Sequence, residues 1–287
     1  MIPEDVVTIV VPAHNAEKYL GEAIGSALAQ DYRGVEVIVV DDGSTDSTFE
    51  VATTLSTTDS RVRVLSQPHR GAAAARNAAL AAATGSFVCF LDADDALAAD
   101  GIREGLAFLH KHPDVDIVFS DVAVCDENLD MRYIDARGIP AVPWQTLFAI
   151  RNWFAGSSAL LRRDICDHVG GFDERLLAAE DWDFWDRCAQ TATFAYRPGV
   201  VAKIRTHSRQ TTHDFDRVER AWWTIVDRKR TEDARLGRLS LGAVHWRNAN
   251  RAKLHGRRLD LARSIALMLL ATPRPSEIRL ILRVSGA

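Results

Sequence analysis

Acidic residues follow two predicted strands at the points where those strands end. Asp41 and Asp42 come directly after the apolar run Val35–Val40, and the segment Asp-Ala-Asp-Asp at 92–95 follows an apolar run that ends at Leu91. Ligands of an open parallel sheet bind beyond the carboxyl ends of its strands, where these carboxylates would gather at one edge. Gathered carboxylates repel one another unless a cation or a ligand's hydrogen-bond donors balance them. The pattern therefore predicts a site for a hard divalent cation, which takes oxygen ligands from carboxylates and from substrate phosphates such as those of a nucleotide diphosphate.

A histidine lies at the same predicted edge, because the first predicted strand is followed by Pro12-Ala13-His14-Asn15. A plainer interpretation exists for each segment taken singly. Acidic triplets are common in turns and Asp is favoured at helix N-caps, and Ser44 and Asp46 in particular fit a turn with an N-cap. The combination of three strand ends is what favours the ligand site.

The elements that would position these residues alternate between strand and helix. Val6–Val11 is a β-branched run that stops at Pro12, which has no N–H to donate to a neighbouring strand. Apolar residues at 20–28 then recur at the spacing of an amphipathic helix. The alternation predicts an α/β fold, a doubly wound, mostly parallel sheet with helices on both faces. Its further strands are predicted at Val35–Val40, Arg61–Leu65 and Ser86–Leu91, and its further helices after Asp46, at Ala72–Ala83 and at Asp100–His110.

Two boundaries, near residues 112 and 213, divide the chain into predicted parts at 1–112, 113–213 and 214–287. After the first boundary the alternation loosens. The middle part has predicted strands near Asp116–Val124 and Ser157–Arg162 and an acidic helix that starts near Glu180. The last part is predicted as a C-terminal helical appendage, with helix breaks near Gly237, Gly256 and Pro273–Pro275.

Composition excludes several classes of protein. The chain of 287 residues has 47% apolar and 26% charged residues, which is typical of a soluble globular protein. Its apolar stretch at 265–271 is far shorter than the ~20 residues that span a bilayer, and no secretory signal pattern opens the sequence, so we expect a cytoplasmic location. Four widely spaced cysteines argue against structural zinc and disulfides. The lack of Gly-x-Gly-x-x-Gly and P-loop motifs argues against a dinucleotide dehydrogenase and a P-loop enzyme.

The C-terminal part differs in charge from the rest of the chain. From Asp216 onward there are 16 Lys and Arg against 7 Asp and Glu, whereas the remainder has 19 against 32. Apolar residues beside arginines at 259–270 and 278–283 fit a helix that lies in the interface of an anionic membrane. We therefore predict peripheral contact of 214–287 with the inner face of a membrane, and no nucleic-acid partner. A solvated face, packing on the rest of the chain and contact with a second subunit stay open as alternatives.

Five segments of the sequence occur in an order and spacing known from one enzyme family. They read TIVVPAHN, VIVVDDGSTDST, GAAAARNAALAAATGSFVCFLDADD, VGGFDE and AEDWDFWDR. Together they resemble the inverting family 2 glycosyltransferases with the GT-A fold, over residues 6–210. The resemblance implies a metal-dependent enzyme that moves a sugar from a nucleotide diphosphate sugar, with a UDP-sugar favoured, to a hydroxyl of a glycan or lipid-linked glycan in cell-surface polysaccharide synthesis. It assigns the nucleotide sugar to 1–112 and the acceptor and catalytic base to 113–213.

The resemblance also implies a nucleotide site. Asp42, with Asp41 beside it, would contact the base or ribose, and a carboxylate that accepts from an imide N–H suits uracil or thymine, although guanine also offers donors. Arg76 would reach the nucleotide, whereas the alternative is a solvated arginine on an alanine-rich helix. The nucleotide-binding residues implied in this way are Pro12, Ala13, His14, Asn15, Asp41, Asp42, Arg76, Asp92 and Ala93.

The metal site implied by the resemblance is a DXD motif. Asp94 would bind Mn²⁺ or Mg²⁺ bridging the diphosphate, Asp92 would meet the metal or the ribose, and Asp95 is an alternative ligand. His207 resembles a late histidine that completes the metal site in some relatives, although a lone histidine in a loop more often has no such role.

Inverting transfer needs a base, because the acceptor hydroxyl must lose its proton as it attacks the anomeric carbon. The resemblance makes Asp181 that base and Glu180 the second candidate. The alternative is that acids in the first turn only complement the helix dipole. Trp182 and Trp185 could stack on sugars, although aromatic residues at this spacing are more often core.

Two rival functions stay open. A nucleotidyltransferase on a similar sheet would join a sugar phosphate to a nucleoside triphosphate, but that class usually has a glycine-rich loop after the first strand, where this chain has Pro-Ala-His-Asn. The other rival is a non-catalytic nucleotide-sugar binding module. The presence of both Asp94 and Asp181 argues against it, because a protein that only binds has no use for a catalytic base.

Overall fold

The computed structural model describes residues 5–136, 138–140, 142–208, 214–272 and 274–284. The chain forms two compact units. The first, here called the sheet unit, comprises Met1–Ile139 and Phe154–His213, and the second, the helical unit, comprises Pro140–Trp153 and Asp214–Ala287. The segment at 140–153 therefore belongs with the C-terminal helices and not with the middle part of the chain. The predicted division at 112 does not separate two compact units, and the assignment of its two sides to nucleotide and acceptor stays a prediction. Residue 213, the second predicted boundary, lies outside the described residues.

The sheet unit is built on one mixed sheet in the order β3-β2-β1-β4-β8-β6-β9-β5, with β7 paired to β6. Six strands share one direction, and β5, β7 and β8 run against it. The predicted α/β fold with a mostly parallel sheet is therefore confirmed. The strands are β1 Val7–Ala13, β2 Val35–Asp42, β3 Val62–Gln67, β4 Phe87–Phe90, β5 Ala96–Leu97, β6 Ile117–Cys125, β7 Met131–Asp135, β8 Ala159–Arg162 and β9 Phe194–Arg205.

Both faces of the sheet are covered by helices. Alternate residues of β1 and β2, such as Val7, Ile9 and Val37, share one core cluster with apolar residues from the first, second and fourth helices. Val10 and Ile38 point to the opposite face and are equally buried, and the third helix packs on β1 and β2. The helices of this unit are α1 Leu20–Leu28, α2 Thr48–Thr58, α3 Ala72–Ala82, α4 Gly101–Lys111, α6 Arg163–Val169 and α7 Glu180–Cys188.

Several elements were not predicted, and they are the ones with weak local signals. The strands β5 and β9 pair with strands that are distant in sequence, which a single-sequence pattern does not register, whereas β7 forms a hairpin with the preceding β6 and the short helix α6 directly follows β8. The predicted strands at 61–65, 86–91, 116–124 and 157–162 are all present, shifted at their ends by one to two residues.

The helical unit contains α5 Trp144–Ile150, α8 Phe215–Glu232, α9 Ala234–Leu254, α10 Arg258–Ala271 and α11 Pro275–Val284. Its core joins Ala149 and Ile150 of α5 to Leu239 and Ala243 of α9 and Ile281 of α11. The predicted break near Gly256 is present, where that glycine has a φ of +67°. Pro273, within the third predicted break, lies outside the described residues.

The predicted helix break near Gly237 is wrong. The chain breaks four residues earlier, at Asp233, whose side chain caps α9 by accepting from the backbone N–H groups of Arg235 and Leu236. Gly237 lies inside α9, where a Cβ would come within 2.6 Å of the Cα of Arg230. The glycine therefore permits a close approach of α8 and α9.

Candidate active site

The loops that follow β1 and β2 are tied to each other by side-chain hydrogen bonds. The Asn15 N–H donates to Ser44 Oγ at 3.0 Å, and Asn15 Oδ1 accepts from the Thr45 N–H at 2.8 Å. Asp46 accepts from the Glu17 N–H and from the backbone and hydroxyl of Thr48. Ser44 and Asp46 therefore hold a turn, in agreement with the plainer interpretation of their sequence.

Two histidines flank the end of β2. The rings of His14 and His69 stack with their centroids 4.0 Å apart. His14 Nδ1 donates to the carbonyl oxygen of Asp42 at 2.8 Å, and His69 Nδ1 lies 2.8 Å from the Asp42 carboxylate. Gly43 makes this possible, because it has a φ of +67° and a Cβ there would lie 2.6 Å from the backbone nitrogen of His69.

The Asp42 carboxylate is buried and receives many hydrogen bonds. It accepts from the backbone N–H groups of Arg70 and Gly71, both at 2.8 Å, and from Gln67 Nε2 at 2.7 Å. Burial raises the pKa of Asp42, but these donors and His69 outweigh it and hold the pKa below its usual value. Together with His69, the donors occupy the four lone-pair positions that a carboxylate offers. Asp42 therefore orders the loop that leads into α3.

Other residues of the predicted nucleotide site lie at the ends of β1, β2 and β4. Pro12 is partly buried at the end of β1, and Ala13 and Ala93 are buried. Asp41 is buried and accepts from the Ser44 N–H at 3.3 Å.

The acidic segment after β4 is brought against a histidine from the far end of β9. His207 Nε2 lies 2.8 Å from Asp94 Oδ2, although 113 residues separate the two in sequence. Burial raises the pKa of Asp94 above its usual value, the charge of Asp92 adds to this, and His207 opposes it. The Asp92 side chain is 45% exposed, so it can present an oxygen to a ligand.

Asp95, the alternative ligand, has a different environment. It is 3% exposed, and its two oxygens accept from Ser157 Oγ at 2.9 Å and from the Arg205 N–H at 3.0 Å. Burial raises its pKa well above the usual value, and the charges of Asp92 and Asp94 add to this. Its geometry is that of a residue holding the loop, which favours Asp94 as the ligand.

Arg205 fixes the same loop from the other side. Its guanidinium donates to the Asp94 carbonyl oxygen at 2.7 Å and to Glu22 at 2.5 Å, and it also reaches the carbonyl oxygen of Glu127. It stacks on the ring of Tyr19 with 4.5 Å between its central carbon and the ring centroid. No local pattern predicted this role, because the contacting residues come from three separate segments, around Tyr19–Glu22, Asp94 and Glu127.

Arg76 joins the two acidic groups of the site. It projects from α3 and is 7% exposed, so it is not a solvated arginine. One guanidinium nitrogen donates to Asp92 Oδ1 and another to Glu180 Oε1, both at 2.7 Å. Burial lowers its pKa, but the charges of Asp92 and Glu180 outweigh this and raise the pKa overall. The DXD segment and the acidic start of α7 therefore lie on either side of one guanidinium.

Asp181 is partly buried in the first turn of α7. Burial raises its pKa to about 6, and the neighbouring Glu180 charge contributes, while Arg76 acts in the opposite direction. One of its oxygens accepts from the Trp182 N–H at 2.7 Å. A carboxylate whose pKa lies near neutrality can accept a proton and release it again at physiological pH.

The start of α7 is positioned by residues that sequence reasoning missed. Asn77 of α3 donates to the Phe172 carbonyl oxygen and accepts from the Phe172 N–H. Arg187 pairs with the buried Asp183 and donates to the carbonyl oxygens that flank Gly170. Trp182 and Trp185 are 3% and 1% exposed, so they are core residues and are not available to stack on sugars.

Two of the residue sets described above offer metal-ligand atoms. His14, Asp42 and His69 have ligand atoms within 4.8 Å of one another, but the oxygens of Asp42 are engaged by backbone donors and the His14 Nδ1 donates to a carbonyl. The pair Asp94 and His207, with Asp92 beside it, combines carboxylate oxygens with an imidazole nitrogen. Carboxylate oxygens with one imidazole nitrogen suit Mn²⁺ or Mg²⁺, so this set fits the predicted metal.

The sequence is similar to those of known proteins. Residues 8–170 match the family model described as Glycosyl transferase family 2. A stretch of 210 residues is 30% identical to an uncharacterized glycosyltransferase of Rickettsia conorii and covers 71% of this chain and 35% of that protein. A stretch of 103 residues is 38% identical to glycosyltransferase GlyA of Streptococcus pneumoniae and covers 36% of this chain and 15% of that protein. The chain thus spans about a third of the first relative's length and less of the second's.

Two solved structures resemble the fold. TarS of Staphylococcus aureus, residues 1–349, has a TM-score of 0.61 at 19% identity, covering 91% of this chain and 89% of that one. The mannosyltransferase PcManGT of Pyrobaculum calidifontis has a TM-score of 0.62 at 21% identity, covering 99% and 81%. TarS has been solved with UDP and with UDP-GlcNAc, and PcManGT with GDP-Man and Mn²⁺.

Proposed function

The chain belongs to glycosyl transferase family 2 and has the GT-A-type fold predicted from its sequence, and on that premise we propose that it moves a sugar from a nucleotide diphosphate sugar to a hydroxyl acceptor with inversion. A UDP-sugar is the favoured donor, and a glycan or lipid-linked glycan of cell-surface polysaccharide synthesis is the favoured acceptor. The observation that carries the proposal is Arg76, which links the Asp92–Asp94 segment to the Glu180–Asp181 pair. Donor activation and proton removal can then take place in one site.

A divalent cation fits the donor side of this site. Asp94 and His207, with Asp92, would hold it, and when bound it would supply Lewis-acid stabilisation of the departing diphosphate. PcManGT, which has a similar fold, has been solved with Mn²⁺, and this supports the choice of ion. Asp95, Ser157 and Arg205 hold the loop in the shape that presents these ligands.

Asp181 is the proposed base. It would accept the proton of the acceptor hydroxyl as that oxygen attacks the anomeric carbon on the face opposite the leaving group. Its raised pKa suits this role, because a carboxylate near pKa 6 is ionised at neutral pH yet more basic than an ordinary aspartate. Glu180 accepts from Arg76 and so keeps the guanidinium between the base and the DXD segment.

The base-binding pocket is proposed at the ends of β1 and β2, among Pro12–Asn15, Asp41 and Asp42. Of the two side chains that donate to the Asp42 carboxylate, His69 is the more exposed, with 53% of its side chain accessible, whereas Gln67 is partly buried. An imide N–H of uracil could take the place of this imidazole without disturbing the backbone donors from Arg70 and Gly71. That exchange is the physical reason to favour a uracil nucleotide.

A panel of nucleotide sugars tests the proposal. UDP-, GDP-, dTDP- and CDP-sugars are compared by thermal shift and by release of the nucleotide diphosphate, each with and without Mn²⁺. We expect the largest shift with a UDP-sugar and Mn²⁺ together, followed by slow release of UDP. Binding without any release of UDP in the presence of glycan acceptors would favour the non-catalytic binding module, and binding of a nucleoside triphosphate with a sugar phosphate would favour the nucleotidyltransferase.

A further inference from the structure

The helix α10 exposes an apolar face to solvent. Met268 is its one buried residue among the described residues. Leu259 is 88% exposed, Leu270 77% and Leu269 45%, and Leu254 at the end of α9 is 85% exposed. Isolated exposed leucines are ordinary on protein surfaces, but four within 17 residues of chain form a feature that needs an explanation.

The exposed apolar residues of α10 share one side of the helix. Successive residues are 100° apart, so the positions 259, 262, 266, 269 and 270 fall within about a third of the circumference, and Met268 lies on the opposite side. The outer side thus carries Leu259, Ala262, Ala266, Leu269 and Leu270, all of which are exposed. The inner side of α10 is also apolar, and it packs against α9. The outer side is therefore a second apolar face, which this packing leaves uncovered.

Cationic side chains border this outer face. Arg258 and Arg263 lie at its two edges, and both are exposed. From Arg251 to Arg283 the sequence has eight Lys and Arg against two acids, Asp260 and Glu277. Within the described residues neither Arg258 nor Arg263 forms an ion pair with a carboxylate. The surface therefore combines apolar area with unbalanced positive charge.

We propose that this outer face of α10 docks on a bilayer that contains anionic lipids. The leucines would enter the boundary between headgroups and acyl chains, and Arg258 and Arg263 would contact lipid phosphates. The helix of 14 residues is about 21 Å long and so is shorter than the ~30 Å hydrocarbon core, which means that it lies in the interface. This agrees with the finding that no helix of the described residues is long and apolar enough to cross a membrane.

Charge is the reason to prefer a membrane to a second copy of the chain. A two-fold contact would set this face against itself and bring the arginines of both copies together in a desolvated interface. Anionic headgroups neutralise the same charges, and each arginine near the membrane surface increases the partition coefficient of the protein about fivefold. Each leucine that leaves water would increase the partition coefficient roughly tenfold more.

The experiment is vesicle flotation of the full chain. Wild-type protein and the variants Leu259→Gln/Leu270→Gln and Arg258→Gln/Arg263→Gln are mixed with vesicles of phosphatidylcholine, with or without phosphatidylglycerol. We expect wild type to float with the anionic vesicles, the leucine variant to lose roughly 100-fold in partitioning, and the arginine variant about 25-fold.

Matched controls distinguish binding through this face from nonspecific hydrophobic or electrostatic binding to vesicles. Ile139 is 72% exposed in the other unit, so Ile139→Gln removes a comparable apolar side chain. Arg33→Gln/Lys111→Gln removes two exposed charges from the sheet unit. Both controls should float like wild type. Equal flotation by the α10 variants and the controls would overturn the proposal.

Two further measurements keep the test decisive if a variant folds poorly. Flotation of wild type should fall as salt rises from ~0.1 M to ~1 M, because the Debye length shrinks from ~10 Å to ~3 Å. Light scattering reports the mass in solution, and a dimer abolished by Leu259→Gln/Leu270→Gln would assign the face to a second copy and overturn the membrane assignment. These readouts measure binding and not transfer, so they are independent of the proposed reaction.

Discussion

The two acidic strand ends of the sheet unit have opposite electrostatic character. At the end of β2, Asp42 is surrounded by donors from its own chain, and its pKa is held below the usual value. At the end of β4, Asp94 and Asp95 lie beside Asp92, and burial with mutual repulsion raises the pKa of both. The first group is balanced by the fold itself, whereas the second needs a positive charge from elsewhere.

The difference distinguishes a carboxylate whose charge the fold already balances from one that gains from an added cation or proton. Similar acidic sequences follow both strands, so composition alone does not separate them. A carboxylate that the fold has already satisfied gains little from a cation, and one raised in pKa by its neighbours gains most. Asp181, whose pKa burial raises to about 6, belongs to the second kind.

Loss of Asp94 should have the largest effect. In Asp94→Ala we expect transfer to fall by about 10³-fold or more, because the metal's Lewis-acid contribution is worth several kcal/mol. Calorimetry with a UDP-sugar should also show that Mn²⁺ no longer increases affinity. The exposed Asp114→Ala is the control. Wild-type dependence on Mn²⁺ in Asp94→Ala would contradict the metal assignment.

Loss of Asp181 should reduce transfer with little effect on donor binding. Asp181→Asn keeps the shape of the side chain and removes its basicity, so we expect kcat to fall by about 10²-fold or more while the donor Kd stays within a factor of two or so. Glu180→Gln is the matched comparison, since it keeps Asp181 but weakens the contact with Arg76. A larger loss of kcat in Glu180→Gln would transfer the role of base to Glu180.

The pH dependence should follow the titration of the base. Protonated Asp181 cannot accept a proton, and burial raises its pKa to about 6, so kcat should rise about tenfold per pH unit below pH 6 and level off above it. Turnover measured from pH 4.5 to 8 tests this expectation. A flat profile in wild type, or the same acidic limb in Asp181→Asn, would show that another group titrates.

The free energy of unfolding in the absence of metal should respond differently to substitutions at the two strand ends. Asp42→Asn places an amide NH₂ among donors, so we expect a loss of about 1–3 kcal/mol in the free energy of unfolding. Because the pKa of Asp42 is lowered, this loss should be complete at neutral pH and shrink as the pH falls below its ordinary value near 3.8. Asp94→Asn removes repulsion and should leave stability unchanged or slightly higher. Urea unfolding of both variants in chelator measures this, and equal losses would mean that the two ends do not differ.

Much of the fold was accessible from local patterns. The strands β1, β2, β4 and β6 are largely apolar runs buried on both faces of the sheet. Such a run predicts a buried strand without knowledge of its neighbours in the sheet. The strand β9 was missed, because its pattern is interrupted at Pro198 and Gly199 and its pairing with β6 contains register shifts. The helix α5 was missed because it belongs with α9 and α11, which lie far along the chain.

Local sequence patterns were enough to predict where carboxylates would gather, since residues that follow parallel strands meet at one edge of the sheet. They could not show which of these carboxylates the fold would balance, because that depends on donors from other segments: Gly71 for Asp42, and Arg76 for Asp92 and Glu180. Tertiary structure also brought His207 to Asp94 across 113 residues. Electrostatic balance is a property of distances between groups, and only the folded chain sets those distances.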